Sequence, residues 1–268
     1  MNNTDLIMEK HSIRENLEHY YFILNKGDER INSIYACIDN TGEKPKALLL
    51  DSAFPEQAAL VKKDLESQGI TVESIIISHY HPDHAGGCPV FPAVKVMAGY
   101  LYEHNYENCK RWRPDLTFIR PVLTFKNQST FSFGTNFFQF IEAPGHSLCM
   151  MLIKINNDVL YISDLLMYAE DGRLSLPYIS PGGSYKQYIA TLETLKKMEF
   201  RTALVTHGKA IDDKTRLNED IDKYIYYLKA VLNSEDQLPL ASCLKGDQTG
   251  YANHNFHDNN LLLRMMEI

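Results

Sequence analysis

Apolar residues fall along this chain in two rhythms: short dense runs of Ile, Val, Leu, Phe and Tyr that predict strands, and stretches with apolar positions three or four apart that predict helices. Leu17 to Leu24 and Ile31 to Ile38 are rich in Tyr, Phe and Ile and predict an early antiparallel pair. Ala47 to Leu50 leads to Asp51, and Pro55 then opens a helix whose Ala58, Val61 and Leu65 recur at helical spacing before Gly69 ends it. Ile75-Ile76-Ile77 predicts a buried strand, and further strands are expected around Phe131, Phe138, Met151 and Leu160 and over Ala203 to Thr206. A helix starting near Ser184 pairs that residue with Gln187 in a capping box and presents Tyr185, Tyr188, Ile189, Leu192 and Leu195 to a core. Residues 216 to 234 form a further amphipathic helix with Leu217, Ile221, Tyr224, Ile225, Leu228 and Leu232 on one face. No low-complexity linker precedes it, so it is expected to pack on the main body or on a partner subunit. Strands alternating with helices predict an α/β protein.

The chemistry gathers at strand ends. Directly after Ile75-Ile76-Ile77, the segment Ser78-His79-Tyr80-His81-Pro82-Asp83-His84 crowds three imidazoles and a carboxylate together. In extended backbone His79 and His81 point to one side and Tyr80 to the other, so two ligands converge, and Pro82 then turns Asp83 and His84 in a new direction. Neutral imidazole and carboxylate suit a borderline divalent ion such as zinc. His146 follows the apolar stretch Phe137 to Ile141 in a Pro144-Gly145 turn, Asp164 ends Val159 to Ser163, and His207 ends Ala203 to Thr206. Each alone is an ordinary turn residue; together they make seven potential ligands, all delivered from strand tips.

The chain here resembles the metallo-β-lactamase superfamily. The His-x-His-x-Asp-His signature is complete at His79, His81, Asp83 and His84, and His146, Asp164 and His207 follow in order and approximate spacing. The resemblance covers about residues 17 to 210. It implies a four-layer αβ/βα sandwich with a dinuclear site at one edge of two sheets: His79, His81 and His146 on one ion, Asp83, His84 and His207 on the other, Asp164 bridging. The expected organisation is a catalytic domain over residues 1–210 and a C-terminal helical extension over 211–268 packed on the same domain.

Two close cations would lower the pKa of water from roughly 16 to about 7, making a bridging hydroxide available as nucleophile. The expected reaction is attack on the carbonyl carbon of a thioester, lactone or ester, with Asp83 both binding the second ion and orienting the hydroxide or shuttling its proton. Zinc is the expected metal, and iron or manganese suit the same ligands. A mononuclear-iron persulfide dioxygenase and a phosphodiesterase or nuclease are the alternatives on this fold, and a carboxylate usually stands at the position of His81 in the diiron flavoprotein branch. The C-terminal region is shorter than a full glutathione-binding helical domain, which favours a broader hydrolase over a dedicated glyoxalase II.

Composition narrows this further. A chain of 268 residues with 44% hydrophobic content can bury one substantial core. The formal charge of -7, without clustered Lys and Arg, argues against nucleic acid as partner and leaves a small-molecule substrate. The five cysteines at 37, 88, 109, 149 and 243 lack CxxC spacing, and reduced thiols in a cytoplasm account for them most simply. The opening Met-Asn-Asn-Thr-Asp lacks the organisation of a secretory signal, and no apolar span approaches ~20 residues, so neither export nor membrane insertion is expected.

Several residues beyond the signature carry open readings. Asp51 is either a carboxylate supporting the metal loop or a turn residue before the helix. Tyr168, four residues past Asp164, is either a donor to the substrate oxyanion, as a tyrosine near that place is in related lactone hydrolases, or a packing residue. His254 and His257 lie outside the signature and read as a polar turn, or as substrate contacts. Met97 to Pro114, with Tyr100, Tyr102, His104, Tyr106, Trp112, Arg111 and Arg113, is either a site wall suited to an apolar substrate with an anionic group or an amphipathic helix with a solvated basic edge.

Overall fold

Strands buried on both faces organise the molecule. The computed structural model describes residues 6–24, 31–234 and 238–265. Met1 to Asp5, on which the expectation about a leader rests, lie outside them. A seven-stranded sheet runs β1 (Leu6–Arg14), β2 (Leu17–Leu24), β3 (Ile31–Asp39), β4 (Lys46–Leu50), β5 (Thr71–Ile77), β6 (Lys95–Gly99), β7 (Leu123–Phe125) in spatial order. β1 to β4 pair antiparallel, and β4 to β7 parallel. The second sheet holds β8 (Thr130–Phe133), β9 (Asn136–Glu142), β10 (Met151–Ile155), β11 (Val159–Ser163) and, beyond the two-residue β12 (Leu174–Ser175), β13 (Thr202–Val205) parallel to β11. β12 pairs in parallel with β14 (Tyr251–Ala252), far along the chain.

Helices cover both outer faces. α1 (Pro55–Ser67) and, past the single turn α2 (Pro82–Ala85), α3 (Tyr102–Trp112) flank the first sheet; α4 (Tyr185–Leu195) and α5 (Lys214–Leu232) flank the second. The short α6 (Leu240–Cys243) and α7 (Phe256–Arg264) complete that side. Successive side chains of a strand feed different cores, as their period of two requires: Ile75 and Ile77 pack under α1, whereas Ile76 packs between the sheets against residues such as Leu50, Phe140 and Tyr161. Leu160 and Ile162 likewise face α4 and α5 while Tyr161 faces the other sheet. The four layers are those of the αβ/βα sandwich.

Local rules set the helix boundaries. Pro55 begins α1, where its missing N–H costs nothing, and the Gln57 side chain accepts the Phe54 amide. Ser184 caps α4 by accepting the Gln187 amide, and Asp213 caps α5 by accepting those of Thr215 and Arg216. α5 starts two residues before the expected 216, and its Leu217, Ile221, Tyr224 and Leu228 join the core that α4 covers. Strand β1 lies outside the sequence expectation: none of its side chains is fully buried, so its pairing with β2 leaves no apolar alternation in the sequence. All five cysteines are buried and unpaired. No described helix is long and apolar enough to cross a membrane.

His19 on β2 is a buried exception to the apolar core. It stacks on Tyr35 with centroids 4.4 Å apart and its Nε2 lies 2.8 Å from the Ser33 hydroxyl. Burial, with repulsion from His11 and Lys209, pushes it down to about 3. The folded pKa lies below the unfolded one, so its contribution is present above about pH 6.5 and is lost as pH falls toward 3. The urea midpoint of the metal-loaded protein is therefore expected to fall between pH 6.5 and 5. His19→Phe should flatten that fall by up to one proton, about 1.4 kcal/mol per pH unit.

Candidate metal centre

The segment from Ser78 to Gly87 leaves the carboxyl end of β5 and is clamped against the end of β4. The Ser52 amide and hydroxyl both donate to the His84 carbonyl, each at 2.8 Å, and the Gly87 amide donates to the Ala53 carbonyl. A Cβ on Gly87 would stand 2.1 Å from the Ser52 carbonyl oxygen, so only glycine permits that approach. The β9–β10 turn brings His146 alongside, and Gly145, whose Cβ would meet the Tyr188 backbone at 2.4 Å, lets the turn sit on α4. β11 and β13, parallel neighbours, end at Asp164 and His207.

All seven side chains meet at this edge. Three imidazole nitrogens form a triangle: His79 Nε2 to His81 Nδ1 2.9 Å, and His146 Nε2 to each of these 3.2 Å. Hydrogen bonds cannot satisfy all three edges of this triangle, because an imidazole nitrogen that carries a proton has no free lone pair with which to accept another. Its size fits a shared cation, since Zn–N bonds of about 2.0–2.1 Å at tetrahedral angles set nitrogens about 3.3 Å apart. Asp83, His84 and His207 form a second set, with Asp83 Oδ2 3.4 Å from His207 Nε2 and 3.8 Å from His84 Nε2. Asp164 Oδ2 reaches both sets: 3.2 and 3.3 Å from His84 and His207, 3.6 and 3.9 Å from His146 and His79. Its Oδ1 and the Nε2 of His81 are buried without a partner. The unpartnered Asp164 Oδ1, beside inward nitrogens that cannot satisfy one another, fits divalent ions.

Three of the outward nitrogens are held by a partner. His146 Nδ1 donates to the Tyr178 carbonyl, His207 Nδ1 to the Ile31 carbonyl and His84 Nδ1 to Asp51 Oδ2. Each bond points the other nitrogen's lone pair into the centre. Burial, with repulsion between neighbouring imidazoles, drives His79 well down and His81 to about 3; burial lowers His146 against the pull of Asp164. Burial would also lower His84 and His207, but Asp164 and Asp83 outweigh it and push both up, His207 to about 10. Burial opposes ionisation of Asp83 and Asp164, yet His84 and His207 hold both below the usual carboxylate range. The two carboxylates thus demand positive charge, which protons or metal cations supply.

Asp51 lies beneath the site. Its carboxylate accepts from Tyr161 (2.5 Å), the Ser78 hydroxyl and amide (both 2.7 Å) and His84 (2.8 Å). Of its two open readings, this geometry supports the metal loop. Tyr168 differs from expectation: its hydroxyl donates to Asp220 on α5, 3.0 Å away, so its one proton is directed away from any substrate oxyanion. His254 is tied to the carbonyls of Gln248 and Tyr251, and His257 sits between the Tyr227 hydroxyl and the Leu238 carbonyl. Both are structural, and neither lines the cavity over the metal ligands. Neither Arg111 nor Arg113 lines the cavity, which favours the helix reading of that segment. Arg113 pairs with Asp115, and of α3 only Trp112 reaches the cavity. Sequence reasoning missed Tyr178, Asn253 and Phe256, which also line this space of about 350 Å³ and belong to no ligand motif.

The model of the metallo-beta-lactamase superfamily matches residues 38–207. The chain belongs to that superfamily. A hydroxyacylglutathione hydrolase of Albidiferax ferrireducens is 29% identical over 56% of this chain and 52% of its own length. An atrochrysone carboxyl ACP thioesterase of Pseudocercospora fijiensis is 23% identical over 80% of this chain and 54% of its own. The chain thus spans about half the length of these two relatives. A beta-lactamase domain protein from Burkholderia ambifaria shares the fold with a TM-score of 0.66 at 14% identity, over 84% of this chain and 77% of that one.

Removing the Asp51 carboxylate leaves buried donors of Tyr161, Ser78 and His84 unpaired. Asp51→Ala is expected to cost about 3–5 kcal/mol in chemical denaturation and, where it folds, to weaken metal binding about 10–100-fold in chelator competition. Unchanged metal affinity in a folded variant would show that Asp51 is a turn residue only.

Proposed function

We propose that this chain is a dinuclear metal-dependent hydrolase of thioesters, with esters and lactones as chemically related substrates. The observation that carries the reading is the sharing of Asp164 Oδ2 between two complete donor sets. His79, His81 and His146 would hold one ion, Asp83, His84 and His207 the other, with Asp164 common to both. Zinc matches imidazole and carboxylate donors, and iron or manganese suit them as well. Such ions, when bound, supply Lewis acidity and make water nucleophilic near neutral pH. The hydroxyacylglutathione hydrolase and the ACP thioesterase among its relatives support a thioester carbonyl as the target.

The chain's own groups set the geometry. The carbonyls of Tyr178 and Ile31 and the carboxylate of Asp51 fix the rings of His146, His207 and His84, so the donor atoms need little rearrangement. Asp83, the partly exposed carboxylate of the set, stands at the cavity rim with its pKa held low. It stays ionised there and can accept a hydrogen bond that orients a water entering the cavity. Trp112, Tyr178 and Phe256 narrow the space above and limit the access of bulk water. The five unpaired buried thiols support a reducing, cytoplasmic setting.

Protein stripped by chelator and reloaded with zinc should hold two ions per chain and release free thiol from acyl thioesters, and the stripped form should not. Asp83→Ala should keep the fold and lose about 100-fold or more in kcat. One iron per chain with oxygen uptake, or turnover of phosphodiesters but no carbonyl substrate, would overturn the proposal.

A further inference from the structure

The walls of the cavity differ in chemistry from its floor. Trp112, at the end of α3, lies with its ring 5.5 Å from that of His81. Tyr178 stands over the same histidine triad, 5.9 Å from His146 and 6.5 Å from His81, and packs on Phe256 at 5.1 Å. Phe256 opens α7 and is held there by the β12–β14 pair, whose Ser175 hydroxyl accepts the Asn253 amide at 2.7 Å. Three aromatic rings from three separate parts of the chain therefore surround the space above His79, His81 and His146. Among the described residues, no Lys or Arg lines it.

We propose that Trp112, Tyr178 and Phe256 form a recognition wall that selects an uncharged, flat aromatic acyl group. Assigning the ligand as an acyl group rests on the hydrolase reading above; the preference for an uncharged aromatic body rests on the wall alone. Thiol carriers such as glutathione and phosphopantetheine are polar and anionic, and a wall without Lys or Arg offers their charges no partner. The uncharged half of a thioester is the one that suits it. Rings bind rings through offset or edge-to-face contact at centroid distances of about 4.5–7 Å, and the spacing of the wall's own contacts falls in that range. A volume of about 350 Å³ is at the small end of ligand pockets, which disfavours long acyl groups.

Trp112 is the sole tryptophan, so its fluorescence reports on the wall without any turnover. Metal-loaded protein is titrated with the non-hydrolysable thioether S-benzyl-N-acetylcysteamine and, separately, with the S-carboxymethyl analogue. The benzyl compound should give a saturable change with a Kd at least tenfold lower. Phe256→Leu, which keeps an apolar side chain against the neighbouring core, should weaken benzyl binding about fivefold, and Phe256→Ala more. In parallel, benzoyl-N-acetylcysteamine should exceed the succinyl thioester in kcat/KM by tenfold or more. Equal binding of the two thioethers to folded protein overturns the wall, even if thioesters are hydrolysed. Preferential benzyl binding with no thioester hydrolysed keeps the wall and overturns the hydrolase reading.

Discussion

Buried negative charge governs this structure. Asp164 is almost wholly enclosed, Asp51 is wholly so, and Asp83 stands beside them at the rim. Carboxylates in such a place are tolerable only if positive charge and hydrogen-bond donors surround them. Asp51 meets the condition with three side-chain donors and an amide. Asp164 does not: one oxygen is shared among four imidazoles and the other has no partner. The imbalance falls at one point, between two sets of inward-facing nitrogens, and it is there that divalent cations would stabilise the fold as well as serve chemistry.

Bringing the donors to that point requires backbone that the rest of the fold must hold. Asp51, Ala53 and Ser163 all adopt left-handed φ angles, 58°, 52° and 49°, at the ends of β4 and β11. Non-glycine residues there cost about 1–3 kcal/mol each unless their surroundings determine them. Here they do. Ser163 bonds to Ser78 and Thr206, Asp51 is locked by its four donors, and the Ala53 carbonyl holds the Gly87 amide. The parallel pairs β4–β5 and β11–β13 thus end side by side: the turns after β5, β11 and β13 present His79, Asp164 and His207 to the same crevice, and the strained turn after β4 supports them through Asp51.

How far the sequence discloses this depends on the range of the interactions. Residues whose role is set by near neighbours were legible: His79 to His84 after a β-rich run, Asp164 and His207 at strand tips, and the caps at Ser184 and Pro55. Asp51 was legible only as an alternative, because its partners Tyr161 and Ser78 come from other strands. Tyr168 carried two readings for the same reason. Its distance from Asp164 in sequence is short, but its hydroxyl direction is set by Asp220 on α5, fifty-two residues on. Arg111 and Arg113 flank Trp112, and adjacent residues on a helix face different ways, so composition assigned to the cavity wall a charge that the helix turns elsewhere. The β12–β14 contact, two residues on each side, is too short to leave any pattern, yet it is what brings Asn253 and Phe256 to the site.

The division between legible and illegible residues parallels a division of labour. Donor atoms need fixed types at fixed spacing, so their chemistry is written in local motifs and is common to a whole superfamily. Walls need only shape and polarity, which many residues at many positions can provide, so they leave no motif and can differ from one chain to the next. In this chain the floor is polar and charged while the wall is aromatic and, among the described residues, free of Lys and Arg. On the reading proposed above, such a floor would select the bond to be broken and the wall the molecule that presents it. Asn253 and Phe256, which come after the matched 38–207, line the cavity because the β12–β14 contact folds that part of the chain back onto it.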